Sequence, residues 1–208
     1  MRIGIDFDNT IACYEGVFHA AALERGLIPA DLAADKNAVR DYLNGSGRKD
    51  AFTELQGYVY GARMDLVAPY AGFAEFVTGG LAMGHELFVV SHKTRHPILG
   101  PRYDLHAAAR GFLTARGISG EGDGRIAEAN IYFELTKEAK VARVGALGLD
   151  VFIDDLPEIL LMPGFGEATR LVLFDPHGSF PAGVADRPDI AVARDWSEVA
   201  AKVLEAVS

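Results

Sequence analysis

The chain has 208 residues, half of them apolar, which suffices for one sizeable domain or for a core with a modest insertion. Its 29 acidic and 20 basic residues give a formal net charge of −9 without any basic run, a balance that excludes a nucleic-acid partner but permits a small phosphorylated ligand. Cys13 is the only cysteine, and no apolar segment approaches the roughly 18 residues of a membrane span, so we expect a soluble, cytoplasmic protein without internal disulfides.

Short apolar runs predict five strands and a weaker sixth one. In chain order they cover residues 3–7, 87–90, 131–133, 151–153 and 171–174, with the sixth at 190–192. Most of these runs are continuously apolar and do not alternate with a period of two. This pattern is typical of parallel strands that are buried on both faces of a sheet.

Helical patterns lie between the strands and predict how the sheet is covered. They occupy residues 73–83, 103–116, 137–147 and 196–207. A glycine follows each of the first three, where it favours a left-handed helix end, and Asp195 precedes the fourth as a candidate N-cap. Strands that alternate with helices predict an α/β fold with a mostly parallel, doubly wound sheet.

One interval between strands is too long for a simple crossover. About eighty residues separate the first two strands, whereas a crossover connection needs only about a dozen. The interval contains helical patterns at 17–25, 36–43 and 50–64, which are divided by Gly26, Pro29 and a polar turn. The sequence therefore predicts a core formed by residues 1–14 and 68–208, with a helical insertion at 15–67.

Polar side chains follow three of the predicted strands. Asp6 and Asp8 stand at the end of the first strand, and Ser91 stands at the end of the second. Asp154 and Asp155 end the fourth strand. Because ligands bind at the carboxyl ends of parallel strands, we expect these side chains to meet at one edge of the sheet.

Four carboxylates at one edge require a compensating cation, since they repel one another when ionised. A hard divalent ion with oxygen ligands resolves the conflict, and Mg²⁺ is the natural candidate where no cysteine pair is present. Lys137 and Lys140 lie in the first turns of the helix that leads into the fourth strand, and they could reach the same edge.

These residues occur in the order of the motifs of the haloacid dehalogenase (HAD) superfamily: Asp6, Asp8 and Thr10, then Ser91, a helix-start lysine, and the pair Asp154 and Asp155. The chain resembles a HAD-type phosphohydrolase over roughly residues 1–10 and 70–174. The resemblance implies a Rossmann-like sheet, and it implies that the insertion at 15–67 is a helical cap of the type placed after the first motif.

The resemblance also implies a role for each carboxylate. Asp6 is the nucleophile that forms an aspartyl-phosphate, and Asp8 protonates the leaving oxygen before it activates the attacking water. Mg²⁺ is held by the side chain of Asp6, the main-chain carbonyl of Asp8 and the carboxylate of Asp154. Asp155 completes the site either directly or through a water molecule.

A hydroxyl and a lysine complete the implied phosphate site. Ser91 hydrogen-bonds a phosphoryl oxygen, and the lysine neutralises the charge that the nucleophile and the phosphate share. Lys137 is preferred for this role because it follows Thr136, a candidate N-cap, and lies nearer the helix start. Lys140 remains an alternative and a candidate ligand of the phosphate.

Three further residues near the predicted site have two interpretations each. Thr10 either orients Asp8 and the turn around it or only caps the chain that follows. His92 and Lys93 come directly after the second strand. They either donate hydrogen bonds to the substrate or belong to a solvated loop.

The leading hypothesis is a Mg²⁺-dependent hydrolase of a small phosphorylated metabolite. The presence of Asp8 disfavours dehalogenation, because the superfamily's dehalogenases lack this aspartate. The alternatives are a phosphomutase, a signalling receiver that accepts phosphate on Asp6 without turnover, and a non-catalytic binding protein. The long insertion and the spacing of Asp8 count against a receiver, and steady-state turnover separates the enzyme from the last two alternatives.

Overall fold

The computed structural model describes residues 1–180 and 189–205, which form two compact units. The first, here called the sheet unit, comprises Met1–Ala12, Pro69–Lys93 and Arg116–Ser208. The second, the helical unit, comprises Cys13–Ala68 and Thr94–Ala115. The helical unit contains the whole predicted insertion and also residues 94–115, which the sequence pattern assigns to the core. Its function as a cap stays a prediction.

Eight strands are present in the described part of the chain. In chain order they are β1 (Arg2–Ile5), β2 (Ala12–Cys13), β3 (Ala68–Pro69), β4 (Glu86–His92), β5 (Ile131–Glu134), β6 (Val151–Asp154), β7 (Arg170–Phe174) and β8 (Ile190–Ala193). Six of them form one sheet in the order β5-β4-β1-β6-β7-β8, and every pairing in it is parallel. All six predicted strands belong to this sheet, and the predicted Rossmann-like α/β class is confirmed.

The α-helices follow the predicted segments closely. They are α1 (Val17–Glu24), α2 (Lys36–Gly45), α3 (Lys49–Ala62), α4 (Phe73–Ala82), α5 (Leu105–Ala115), α6 (Lys137–Ala146), α7 (Pro157–Leu160) and α8 (Trp196–Val203). The short helix α7 was not predicted, and neither was the two-stranded sheet of β2 and β3. The predicted C-terminal helix extends to residue 207, and its positions 206–207 lie outside the described residues.

Helices cover both faces of the large sheet. Against one face, α6 and α7 enclose a buried apolar cluster that includes Phe88, Val144 and Phe152. Against the other face, the ring of Trp196 from α8 packs on Phe73 of α4, with their centroids 4.7 Å apart, and on Phe174 of β7 at 5.4 Å. Two covered faces account for the continuously apolar strands of the sequence.

The helical unit has its own core, formed by aromatic rings. Phe18 on α1 stands edge-on to Tyr14 and to Tyr60 on α3, with centroid distances of 6.3 and 5.7 Å. The ammonium group of Lys36 at the start of α2 lies 4.5 Å from the ring centroid of Phe18 and donates a hydrogen bond to the hydroxyl of Tyr60. Aromatic contacts of this kind stabilise a small helical layer beyond the area they bury.

Across residues 1–180 and 189–205, no helix combines the length and the apolarity that crossing a lipid bilayer requires. The cytoplasmic location of the protein stays a prediction.

Candidate active site

The strand order places a ligand-binding edge between β1 and β6. From β1 the sheet continues towards β4 and β5 on one side, and from β6 it continues towards β7 and β8 on the other. In open parallel sheets, the crevice for ligands forms where the connections diverge in this way. Asp6 directly follows β1, and Asp154 is the last residue of β6.

A tight turn after β1 fixes the first two aspartates. The amide of Asp6 donates to the carbonyl of Ile153 in β6 at 2.9 Å, so this residue continues the pairing of the sheet. The carbonyl of Phe7 then accepts a bond from the amide of Ile11 at 3.0 Å. Between them, Asn9 has a φ of 56°, and it is the one residue other than glycine in the described chain with a positive φ. Asparagine tolerates this conformation because its short side chain can bond the local backbone.

Three of the predicted carboxylates come together with one lysine. Carboxylate oxygens of Asp6, Asp154 and Asp155 lie within 4.8 Å of one another. Lys140 on α6 reaches between two of them: its Nζ lies 2.5 Å from Oδ1 of Asp6 and 2.6 Å from Oδ2 of Asp154. The side chains of Lys140, Asp6 and Asp154 are almost completely buried. We call these four residues the carboxylate cluster.

The charges of the carboxylate cluster change the pKa values of its members. Burial alone would lower the pKa of Lys140, but the carboxylates of Asp154 and Asp6 raise it above its usual range. Burial raises the pKa of Asp154 to about 6, although Lys140 opposes this effect. Burial, together with the negative charges of Asp6 and Asp154, raises the pKa of Asp155 to about 9. The cluster therefore has more negative charge than one ammonium group can balance.

A second ion pair holds Asp8 beside the carboxylate cluster. The Nζ atom of Lys93, just beyond β4, lies 2.9 Å from Oδ1 and 2.6 Å from Oδ2 of Asp8. The side chain of Lys93 is 4% exposed and that of Asp8 is 25% exposed. Lys93 was predicted as a substrate ligand or a loop residue, and its contact with both oxygens of Asp8 was not predicted.

Thr10 connects the turn after β1 to the carboxylate cluster and to α8. Its hydroxyl lies 3.5 Å from Oδ2 of Asp6, at the outer limit of a hydrogen bond. Its carbonyl accepts a bond from the indole Nε1 of Trp196 at 3.2 Å. Trp196 therefore supports the turn after β1, a contribution that no motif in the sequence indicates.

The residues at the end of β4 lie where the sequence pattern predicts them. Ser91 is buried, and its Cα pairs with that of Phe133 in β5. His92 is half-buried and is the last residue of the strand. Both residues belong to β4, because this strand extends two residues beyond the predicted apolar run at 87–90.

The two candidate lysines of α6 have different surroundings. Lys137, the residue preferred from the sequence, forms an ion pair with Glu158 on α7, and both side chains are largely exposed. The geometry places Lys140, and not Lys137, in the carboxylate cluster. The reason is that helical side chains lean towards the N-terminus of their helix, so a residue one turn into α6 reaches back to the edge of the sheet at the helix start.

The donor atoms of the carboxylate cluster fit a hard divalent cation. Oδ2 of Asp154 is buried and has no hydrogen bond of acceptable geometry, although it lies close to the ammonium group of Lys140. When all are ionised, the four aspartates exceed the charge of Lys93 and Lys140 by two negative units. Carboxylate oxygens are the ligands that Mg²⁺ and Ca²⁺ prefer, and the candidate metal-binding group in the described chain contains only aspartates.

A cavity of about 160 Å³ adjoins the carboxylate cluster at Asp155. Its lining combines aromatic residues with polar and titratable ones: Tyr70, Phe174 and Phe180, and Asn9, Asp155, Asp175, His177 and Ser179. No lysine or arginine in the described part of the chain lines it.

No family model matches the sequence, and no curated protein sequence matches it. Solved structures do match it over almost the whole chain. One, described as a predicted phosphatase from Clostridium acetobutylicum, has a TM-score of 0.60 at 13% identity and covers 98% of both chains. A HAD-superfamily hydrolase from Ehrlichia chaffeensis has a TM-score of 0.55 at 14% identity, over 100% of this chain and 97% of that one. A HAD hydrolase from Bacillus subtilis, solved bound to magnesium, has a TM-score of 0.51 at 11% identity, over 97% of both chains.

At these identities the matches establish the fold alone. The described part of the chain has the fold of the HAD-superfamily hydrolases, and the resemblance predicted from the motifs is confirmed at this level.

Proposed function

We propose that the protein is a Mg²⁺-dependent hydrolase of a small phosphate monoester that works through an aspartyl-phosphate on Asp6. The observation that carries the proposal is the position of Asp6 at the switch point of the sheet. There its carboxylate contacts the ammonium group of Lys140 and lies beside two further carboxylates. The HAD fold adds support by analogy only, since one fold hosts many activities.

In the proposed reaction, one carboxylate oxygen of Asp6 attacks the phosphorus of the ester. The bond from phosphorus to the leaving oxygen breaks, and the phosphoryl group is transferred to Asp6. Lys140 stabilises the negative charge that builds up on the nucleophile and the phosphoryl group. Burial of both side chains strengthens this interaction, because the surrounding medium screens it less than water does.

Asp8 is the proposed acid and base of the two steps. In the first step it gives a proton to the leaving oxygen, so that an alcohol departs instead of an alkoxide. In the second step it takes a proton from the water that attacks the phosphorus of the aspartyl-phosphate. Inorganic phosphate leaves, and Asp6 and Asp8 return to their initial states.

The residues that would hold Mg²⁺ are Asp6, Asp154 and Asp155, with the main-chain carbonyl of Asp8 contributed by the family resemblance. Support comes from the buried Oδ2 of Asp154, which has no hydrogen bond of acceptable geometry, and from the raised pKa of Asp155. When bound, the ion would supply positive charge that orients the phosphoryl group and stabilises its transfer.

The remaining polar residues are proposed ligands of the phosphoryl group. The Ser91 hydroxyl and the Lys140 ammonium group are the proposed donors to its oxygens, as the family resemblance implies. His92 and Thr10 are proposed to support the phosphate site from the ends of the neighbouring strands. The insertion at 15–67, which lies within the helical unit, is the proposed cap, since it follows the first motif and closure of a cap favours small metabolites.

The test is release of inorganic phosphate from a panel of small phosphomonoesters, with and without Mg²⁺. Wild type, Asp6→Asn and the exposed control Asp123→Asn are compared under the same conditions. We expect turnover that requires Mg²⁺, that Asp6→Asn reduces by at least about 10⁴-fold, as for removal of other enzymatic nucleophiles, and that Asp123→Asn leaves unchanged.

Turnover that persists in folded Asp6→Asn would contradict the assignment of the nucleophile. A product in which the phosphoryl group is retained on a second hydroxyl would instead identify a phosphomutase. Absence of turnover on the whole panel, with Mg²⁺ bound, would contradict the assignment as a general phosphomonoester hydrolase.

A further inference from the structure

We propose that Lys93 is a positioning residue for Asp8: it holds the carboxylate of Asp8 in the orientation that proton transfer to and from the substrate requires. The proposal rests on the proposed function, because it assigns a partner to the acid and base of that reaction. It also separates the two lysines of the site. Lys140 serves the nucleophile, and Lys93 serves the proton carrier.

The first observation is the two-point contact between the side chains. The Nζ atom of Lys93 lies 2.6 Å from one oxygen of Asp8 and 2.9 Å from the other. A single ammonium group that binds both oxygens restricts rotation of the carboxylate about its last side-chain bond. Charge-assisted hydrogen bonds of this length are the stronger class, so the restraint is substantial.

The second observation is that Lys93 itself is fixed at both ends. Its amide donates to the carbonyl of Glu134 at 2.8 Å, which continues the pairing of β4 with β5. Its ammonium group lies 5.2 Å from the ring centroid of Phe7, in the turn that also contains Asp8. A buried lysine held by the sheet and by an aromatic ring can act as a rigid reference for a more exposed partner.

In the proposed reaction Asp8 acts twice, first as an acid and then as a base. After Asp8 has given its proton to the leaving oxygen, it is a carboxylate, and both of its oxygens can then be bound by Lys93. The two-point contact therefore keeps Asp8 in place until the attacking water arrives. Correct placement of a proton donor is worth a large part of its catalytic effect.

Asp8→Asn, Lys93→Met and the double variant provide the first test. Phenyl phosphate needs protonation of its leaving oxygen, whereas para-nitrophenyl phosphate has a leaving group that departs without a proton. We expect Lys93→Met to lower kcat/KM for phenyl phosphate about 10- to 100-fold and to change that for para-nitrophenyl phosphate by less than about threefold. The exposed control Lys202→Met should change neither value by more than about twofold.

The double variant decides whether Lys93 acts through Asp8. If it does, adding Lys93→Met to Asp8→Asn produces no further loss with phenyl phosphate. In one contrary outcome, the losses of kcat/KM in the two single variants multiply in the double variant. In another, Lys93→Met lowers kcat/KM equally for both aryl phosphates. Either result would mean that Lys93 binds the phosphoryl group directly, and it would overturn the proposal. Methionine is apolar and nearly as long as lysine, so it can replace Lys93 against Phe7, and a thermal melt checks that the variant is folded.

Crystal structures of wild type and Lys93→Met supply a second test that requires no turnover. We expect the carboxylate of Asp8 to leave its wild-type position, or to lose order, when Lys93 is replaced. An unchanged and ordered Asp8 would overturn the proposal even if neither aryl phosphate is a substrate. Conversely, a displaced Asp8 in Lys93→Met would support the positioning role of Lys93, whereas absence of wild-type turnover on the whole phosphomonoester panel would count against the proposed function.

Discussion

The sheet unit and the helical unit differ most clearly in what they bury. Eight polar or charged residues are buried in the described part of the chain, and all eight belong to the sheet unit. In the helical unit, every buried side chain of the described residues is aliphatic, aromatic or methionine. Burying a charge costs free energy unless the charge is paired, and a core of apolar side chains alone would avoid that cost.

The difference separates the residues of an apolar core from the residues proposed to carry the chemistry. Lys93, Lys140, Asp6 and Asp154 are all buried, and each of the lysines contacts an aspartate. The helical unit achieves its packing with rings such as Phe18 and needs no charged pair in its core. We therefore expect substitutions in the two units to have effects of different kinds, on turnover and metal affinity in one and on stability in the other.

The largest effect should separate the two lysines of α6. We expect Lys140→Met to lower kcat/KM by about 10²- to 10³-fold, because Asp6 loses the cation that stabilises charge during transfer. Lys137→Met should change kcat/KM by less than about threefold, since it removes an exposed ion pair with Glu158. Steady-state kinetics on any phosphomonoester that the wild type hydrolyses provide the measurement.

A reversed result, with Lys137→Met inactive and Lys140→Met active, would show that the residue preferred from the sequence is the functional one. Circular dichroism serves as the control for folding. Removal of Lys140 leaves Asp6 and Asp154 without their ammonium partner, so the assay should be run with saturating Mg²⁺.

Most of the fold could be predicted from the sequence, because continuous apolar runs and helix patterns alternate so regularly. The strands that carry the site end within two residues of their predicted limits. What the pattern missed are the short pieces β2, β3 and α7, which have two to four residues each. Elements of this length contain too few residues to show a period in the spacing of their apolar residues.

The carboxylates could also be placed from the sequence, because each one follows a strand that shares the same edge. The lysines could not. Lys137 and Lys140 differ by one helical turn, and only the direction in which helical side chains lean selects between them. The contacts of Lys93 and Trp196 depend on residues 85 and 186 positions away in the chain, and no local pattern reports such distances.

Phe18→Ala tests the contrast between the two units by a change in the core of the helical unit. The ring is almost fully buried against Tyr14, Phe52 and Tyr60, so its loss should cost about 3 to 5 kcal/mol of the free energy of unfolding. The exposed Tyr42→Ala should cost less than about 1 kcal/mol. Urea unfolding measures both values.

The affinity for Mg²⁺ should stay at its wild-type value in folded Phe18→Ala, because all proposed ligands belong to the sheet unit. Isothermal titration at a temperature well below the melting point checks this. A parallel fall in stability and in Mg²⁺ affinity would show that the two units do not act separately.

The excess negative charge of the carboxylate cluster should make stability depend on pH. The pKa of Asp155 is raised from 3.8 to about 9, so the folded protein retains a proton that the unfolded chain has released. Without metal, the free energy of unfolding should therefore fall as pH rises from about 7 to about 8.5, by at most about 1.4 kcal/mol per pH unit. His85, whose pKa burial lowers, titrates below this window.

Thermal melts in the presence of a chelator provide the measurement, and Asp155→Asn is the matched variant. We expect this variant to be more stable than the wild type at the upper pH and to lose most of the dependence. Added Mg²⁺ should remove the pH dependence of stability in the wild type. It should stabilise Asp155→Asn less than it stabilises the wild type. If chelated wild type gains stability with rising pH in this window, Asp155 does not carry the proton that its surroundings imply.

The smallest effect should come from the contact between α8 and the turn after β1. Trp196→Phe removes the bond from the indole Nε1 to the carbonyl of Thr10 and leaves that buried carbonyl without this donor. We expect a loss of about 1 to 2 kcal/mol in the free energy of unfolding and a fall of less than about tenfold in kcat/KM. Phe76→Leu is the control, because Phe76 packs on the same indole, at 4.8 Å between ring centroids, without contacting Thr10 through a hydrogen bond. Phe76→Leu should lower stability alone, and if both variants lower kcat/KM equally, the turn depends on the packing of the aromatic layer and not on the bond to Thr10.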